Sequence, residues 1–89
     1  MTPLVKLFAR RYCANDSRGE PIGMTWRVFR AGRLVSVGQQ TASLALDCSL
    51  GARLRVPGGI ERGRSYTATF ELNDANGILL TRRALLRGT

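Results

Sequence analysis

The sequence predicts an all-β fold, specifically a small antiparallel β-sandwich of about seven short strands that occupies residues 1–89 as a single domain. Three observations lead to this fold class. The chain has 89 residues, enough for one small core. Turn-forming residues recur roughly every ten residues, a spacing typical of short strands. Between the turns, apolar and polar residues alternate, and no segment repeats with a convincing helical period.

The strands follow from the alternation, taken in chain order. Val5, Leu7, Ala9 and Cys13 share one parity and predict a first strand over residues 3–13. The remaining strands are predicted over residues 22–30, 34–39, 43–49, 52–56, 64–72 and 78–87. The loops between them include residues 15–21, the tight turn at residues 31–33, and residues 73–77.

The second and last predicted strands each have a distinctive feature. Trp26 lies at an apolar position of the second strand, and we expect it to pack in the core between the sheets. The last strand, over residues 78–87, is apolar on both parities, so the alternation does not define its register. The adjacent Arg82 and Arg83 predict a β-bulge there.

Two segments carry a resemblance to a known class of domain. The run Asn15-Asp16-Ser17-Arg18-Gly19-Glu20-Pro21-Ile22-Gly23-Met24-Thr25-Trp26 resembles the start of bacterial and phage immunoglobulin-like domains. The runs Gly63-Arg64-Ser65-Tyr66-Thr67-Ala68-Thr69-Phe70 and Asn73-Asp74-Ala75-Asn76-Gly77 are similar to the final hairpin of that class. The resemblance covers about a third of the chain. It implies a structural domain of cell-surface proteins or of phage heads and tails, which binds surfaces and does not catalyse.

The composition argues against catalysis. The chain has no histidine, the commonest general base and metal ligand. Its six carboxylates are spread over turns and outward strand positions, and it has no phosphate-binding loop. We therefore expect no enzyme, no cofactor and no metal. Cys13 and Cys48 have two interpretations, namely free thiols packed as small apolar groups and a disulfide across the sandwich. The first is favoured for a protein kept in a reducing cytoplasm.

No export signal or membrane-spanning stretch is recognisable in the sequence. We expect synthesis in the cytoplasm without a signal peptide and no membrane partner, with the virion as a further location. Fourteen basic side chains, thirteen of them arginine, against six acidic ones give a net charge of +8. These charges are distributed along the whole chain, so any basic surface belongs to the folded body.

The candidate interface consists of basic and aromatic residues that alternate on the outward faces of three predicted strands: Lys6, Phe8, Arg10 and Tyr12 on the first, Arg27 and Phe29 on the second, and Arg53 and Arg55 on the fifth. Three interpretations stay open, which are a second core layer, a protein interface and a nucleic-acid surface. The expected function is a non-enzymatic structural protein, a small phage virion component (capsid decoration or tail protein) that acts by protein–protein or self-assembly. The alternative is a small basic phage or bacterial regulator that binds nucleic acid or an acidic host protein or nucleoprotein.

Overall fold

The computed structural model describes residues 3–14 and 20–88, so most of the loop predicted at residues 15–21 lies outside the described residues. The described chain forms six strands and one short helix: β1 (Leu4–Phe8), α1 (Arg10–Ala14), β2 (Pro21–Arg30), β3 (Arg33–Ser43), β4 (Ser49–Arg53), β5 (Ser65–Asn73) and β6 (Leu79–Arg87). An isolated bridge also joins Arg62 to Gly88. Within these ranges, no helix is long and apolar enough to cross a membrane.

The strands form two antiparallel sheets. One contains β1 and β4, and the other has the order β3-β2-β5-β6. Along β1, β2 and β5, buried side chains alternate with more exposed ones, so each sheet has one face toward the core and one toward solvent. The predicted antiparallel all-β class is confirmed.

The core lies between the two sheets. Trp26, 4% exposed, packs there as the sequence predicted. Its indole ring lies against Gly38 on β3, where a Cβ atom would overlap the ring, so this close approach requires glycine. The other buried apolar residues come from every strand except β3 and β6, and from the segments beside the strands: Val5, Leu7, Ala9, Tyr12, Ile22, Met24, Val28, Leu44, Leu50, Ala52, Leu54, Tyr66, Ala68, Phe70 and Leu72.

Two predicted turns have the backbone geometry that their residues favour. Ala31 and Gly32 join β2 to β3 with φ values of 50° and 76°, which suit a two-residue hairpin turn. In the turn before β6, the carboxylate of Asp74 accepts hydrogen bonds from the backbone N–H groups of Asn76 and Ile78, at 3.1 and 2.9 Å. This side chain therefore replaces backbone partners that the turn removes.

The first predicted strand is too long, because the chain leaves the ladder after β1 and forms α1. The Tyr12 N–H donates to the carbonyl of Ala9 at 3.0 Å, which starts a helical turn. Ala9, Tyr12 and Cys13 stand at positions i, i+3 and i+4 and therefore share one face of that turn. This face packs inward, with Ala9 and Tyr12 fully buried.

The middle of the chain also differs from the prediction. The strands expected at 34–39 and 43–49 are replaced by the single strand β3, and residues 44–48 form a connection to β4. Asp47 accepts a hydrogen bond from the Ser49 N–H at 3.1 Å, and Cys48 adopts a positive φ of 68°. These two features turn the chain, so β4 begins at Ser49 and ends before the strand predicted at 52–56 would.

Cys13 and Cys48 form a disulfide with a Cα–Cα separation of 5.8 Å. The favoured interpretation as free thiols is therefore wrong, and the alternative disulfide is correct. The reason is α1: by turning the chain after β1, the helix brings Cys13 to the connection that precedes β4. The bond fastens α1 to that connection, next to the point where the Ala9 N–H donates to the Cys48 carbonyl at 2.8 Å.

Side chains close the two gaps between the sheets. Between β3 and β4, the Gln40 amide donates to the Gly51 carbonyl at 3.1 Å and accepts from the Arg53 N–H at 3.0 Å. Between β1 and β6, the Arg82 guanidinium donates to the Phe8 carbonyl at 2.8 Å. In both gaps, a side chain satisfies backbone groups that an adjacent strand would otherwise pair.

The register between β5 and β6 runs without interruption from Asn73 paired with Leu79 to Ser65 paired with Arg87. The bulge predicted at Arg82 and Arg83 is therefore absent from this ladder. Consecutive residues of a strand point to opposite faces, so the two arginines separate. Arg82 is half-buried on the inner side, whereas Arg83 is exposed on the outer face.

Candidate protein-binding surface

The structure distributes the eight candidate residues over separate surfaces. Lys6, Phe8 and Arg53 lie on the outer face of the β1–β4 sheet, whereas Arg27 and Phe29 lie on the outer face of the four-stranded sheet, on the opposite side of the core. The other three lie outside the strands, with Arg10 exposed on α1, Arg55 exposed after β4, and Tyr12 within α1. One continuous basic and aromatic sheet does not form.

Tyr12 is the clearest correction, because its side chain is fully buried and takes no part in an outward face. Its hydroxyl donates a hydrogen bond of 2.8 Å to the carbonyl of Ile78. Burial raises the pKa of the Tyr12 hydroxyl, and the negative charge of Asp74 adds to that effect. Tyr12 therefore anchors α1 to the loop before β6.

On the outer face of the β1–β4 sheet, the cationic side chain of Lys6 is already paired. Its Nζ lies 3.1 Å from a carboxylate oxygen of Asp47 and 5.3 Å from the ring centroid of Phe8. The hydrogen bond from the Ser49 hydroxyl, followed by that from Lys6, lowers the pKa of Asp47. Leu4 and Phe8 are 63% and 50% exposed beside this pair. This face therefore presents two exposed apolar side chains next to a lysine whose charge is already balanced by Asp47.

The outer face of the four-stranded sheet carries a longer apolar arrangement, which we call the apolar row. Leu34 pairs with Phe29, Phe29 with Thr67, and Thr67 with Leu85, so the apolar row crosses the four strands with three apolar side chains and one threonine on β5. Leu34 and Leu85 are 49% and 81% exposed. Val37, the next outward residue of β3, extends the apolar row at that edge. Phe29, Thr67 and Leu85 also line a shallow depression of about 360 Å³.

Arginines border the apolar row. Arg83 and Arg87 flank Leu85 on β6, both exposed, and neither forms an ion pair with any residue in the described ranges. Arg27 is neutralised, since its guanidinium lies 3.1 Å from Glu71. The β6 half of this face is therefore both apolar and positively charged.

Sequence reasoning identified Arg27 and Phe29 as outward but did not include Leu34, Val37, Arg83 or Leu85 among the candidates. Leu34 and Val37 were within a correctly predicted strand segment, and their parity relative to Phe29 became clear only with the register of β2 and β3. Arg83 and Leu85 belong to the strand whose two parities are equally apolar. Pairing with β5 decides which of them face solvent.

The described residues include no group of three or more histidine, cysteine, aspartate or glutamate side chains that could hold a metal ion. Comparison with known proteins adds no relative: no family model matches the chain, and no curated protein or solved structure matches it either. The resemblance to immunoglobulin-like domains therefore stays a prediction.

Proposed function

We propose that this protein is a non-enzymatic protein-binding domain that joins a larger assembly through the outer face of its four-stranded sheet. The observation that carries the proposal is the apolar row, which is exposed at Leu34 and Leu85 on the two outer strands and half-buried at Phe29 and Thr67 between them. Exposed contiguous apolar surface on a small protein marks an interaction site, because its burial against a partner releases ordered water. Aromatic and arginine side chains, both present here, are enriched at the centres of such interfaces.

The charge around the apolar row supports a partner with an acidic surface. Arg83 and Arg87 form no ion pair with the residues of the described ranges, and the whole chain carries +8. Complementary charge orients two proteins and raises their association rate more than it raises their affinity. The apolar row would supply the affinity and the arginines the orientation.

The disulfide supports an assembly that works outside a reducing cytoplasm. Disulfides persist in secreted proteins and on virions, whereas cytoplasmic thiols are kept reduced. This fits the specific form of the proposal drawn from the immunoglobulin-like resemblance, a small phage virion component such as a capsid decoration or tail protein.

The alternative function, a basic regulator that binds nucleic acid, rests on the same net charge. Single-stranded nucleic acid is bound by cations that follow the phosphates and by aromatic rings that stack on bases. Phe8 and Phe29 lie on opposite sides of the core, and Lys6 is paired with Asp47. The strand that suggested this function therefore supplies less of the required surface than its sequence indicated.

The proposal can be tested on protein recovered from its source after mild crosslinking, by size-exclusion chromatography with light scattering and the 260/280 nm absorbance ratio. We expect a protein-only complex larger than the 9.8 kDa chain. The double variant Leu34→Ser/Leu85→Ser should lose it, whereas the control Leu4→Ser/Leu46→Ser, which changes two exposed leucines away from the apolar row, should keep it. A complex that contains nucleic acid and dissociates at high salt would instead establish the regulator.

A further inference from the structure

We infer that β6 is the docking strand of this surface and that it pairs with an extended segment of the partner in which acidic residues flank an apolar one. This inference rests on the proposed protein-binding function and specifies the partner's chemistry. An extended peptide that joins the edge of a sheet gains affinity from backbone hydrogen bonds and specificity from its alternate side chains.

Apart from the Thr81 carbonyl, the outward backbone groups of β6 are available for such pairing, because β6 is the last strand of its sheet. The Gly88 N–H donates to the Arg64 carbonyl at 3.0 Å, so the backbone of Gly88 points toward the chain that continues into β5. Along an antiparallel ladder, the backbone groups of successive residues point alternately toward and away from the neighbouring strand. It follows that the N–H and C=O groups of alternate residues point away from β5: those of Leu79, Thr81, Arg83, Leu85 and Arg87. The Thr81 carbonyl accepts a hydrogen bond of 2.7 Å from the Arg82 side chain, which agrees with this parity.

Of the other three edge strands, β1 and β4 have only five residues each. β3 has 11 residues, but its register with β2 is interrupted between Val28 and Phe29, and its side chains contact β4. The β4 edge is occupied by the Gln40 amide, which itself extends from β3. The Ser36 hydroxyl, also on β3, donates to the Arg55 carbonyl just beyond β4. Arg82 covers the Phe8 carbonyl of β1. In contrast, β6 is nine residues long and contains no proline and no register shift. Either of those features would hinder pairing of a further strand at this edge.

The side chains of β6 define what the added strand should carry. Leu85 is 81% exposed between Arg83 and Arg87, both exposed. Residues directly opposite each other on paired strands interact, so an apolar side chain opposite Leu85 would extend the apolar row onto a fifth strand. Carboxylates two residues to either side would face the two arginines. The complementary segment therefore has an acidic residue, an apolar residue two positions later, and a second acidic residue two positions after that.

A second copy of this chain does not meet these requirements. β6 contains no acidic residue that could face the arginines of a second copy: antiparallel pairing of β6 with itself about Arg83 or Leu85 places guanidinium groups opposite each other, and pairing about Ala84 places Arg83 opposite Leu85. Like charges directly opposite destabilise a strand pair, and each copy carries a net charge of +8. We therefore assign the edge to a different, acidic segment.

The inference can be tested with a defined probe, the capped peptide Thr-Thr-Glu-Thr-Val-Thr-Glu-Thr-Thr, which has the same pattern in both strand directions. Titration into ¹⁵N-labelled protein should shift and protect the outward amides of β6. The same peptide with lysine for glutamate should not bind. Arg83→Glu should weaken binding of the acidic peptide at least tenfold, whereas Arg55→Glu, the same charge change on the far side of the β3–β4 gap, should alter it less than twofold.

A backbone variant separates strand pairing from simple charge attraction. Leu85→Pro removes the N–H opposite the centre of the peptide, which points away from β5, so the β5–β6 ladder and both flanking arginines are retained and the protein's own spectrum verifies folding. We expect this variant to lose amide protection and most of the affinity. Equal binding by the two peptides, no detectable binding of the acidic peptide, or shifts confined to Phe29 and Leu34 would each overturn the inference. The leucine variants in the source complex test the proposed protein-binding function independently of those outcomes.

Discussion

Breaking the bond between Cys13 and Cys48 tests how much of the stability depends on fastening α1 to the connection before β4. Reduction of the wild-type protein makes the perturbation without changing the sequence. The double variant Cys13→Ser/Cys48→Ser, which also cannot form the bond, should match the reduced protein. In both, Tyr12 still anchors α1 through its hydrogen bond to Ile78, so we expect a destabilised domain that keeps its fold.

The size of the effect follows from the sequence separation of 35 between the two cysteines. A crosslink that closes a loop of this length removes conformational entropy from the unfolded chain, and the chain-entropy relation gives about 4 kcal/mol at 25 °C. For a domain of this size, that is a third or more of a typical free energy of unfolding. It corresponds to a fall in Tm of roughly 15–30 °C.

Urea denaturation followed by Trp26 fluorescence measures this difference directly. The indole lies between the sheets and reports their separation. We expect the reduced protein and the double variant to unfold at the same, lower urea concentration, both about 4 kcal/mol less stable than the oxidised protein. If the oxidised and reduced proteins unfolded with free energies within about 0.5 kcal/mol of each other, the assigned role of the disulfide would be refuted.

Three further predictions use the same denaturation assay. Gly38→Ala should destabilise the fold by about 1–3 kcal/mol because its Cβ would overlap the indole, whereas Gly51→Ala, whose Cβ would make only an ordinary 3.7 Å contact with Leu4, should stay within about 1 kcal/mol of wild type; equal effects would show that the Gly38 position is not sterically restricted. Tyr12→Phe should cost about 1–3 kcal/mol because the Ile78 carbonyl loses its donor, and an unchanged midpoint would show that this hydrogen bond does not stabilise the fold. The folded pKa of Asp47 is lowered, so its stabilisation is present above the unfolded pKa of about 3.9 and is lost as pH falls through the folded value. Asp47→Asn should therefore lose less stability than wild type on acidification below about pH 4, and identical pH profiles would argue against a role for this carboxylate.

The strands that could be predicted are those in which only one parity is apolar. In β2 and β5, residues such as Trp26 and Phe70 alternate with polar ones, and both strands lie close to their predicted positions. α1 escaped prediction because Ala9 and Cys13 satisfy both patterns: they share a strand parity and also stand four residues apart, as on one face of a helix. Tyr12, which lies between them in the sequence, is buried only in the helical arrangement. Its burial depends on the tertiary structure and is not visible in the local pattern.

The candidate surface was predictable only strand by strand. The outward positions of Lys6, Phe8, Arg27 and Phe29 follow from alternation, and the structure places all four on outer faces. Which outer faces adjoin depends on the strand order, and a single sequence does not encode that order in any local pattern. The apolar row exists only because the strands are arranged in the order β3-β2-β5-β6 within the sheet.

The pairing of β1 with β4 has a consequence for how the chain folds. Phe8 and Ser49 are partners in this ladder although about 40 residues, including the whole β2–β3 hairpin, lie between them. Once Cys13 and Cys48 are joined, the covalent path between the two strands shortens to about the length of an ordinary hairpin loop. Closing the shorter loop costs about 1.5 kcal/mol less, or roughly a tenfold gain in the rate at which this ladder forms. Oxidation thus converts this distant strand pair into a local one, and a chain oxidised before folding should assemble the β1–β4 sheet early.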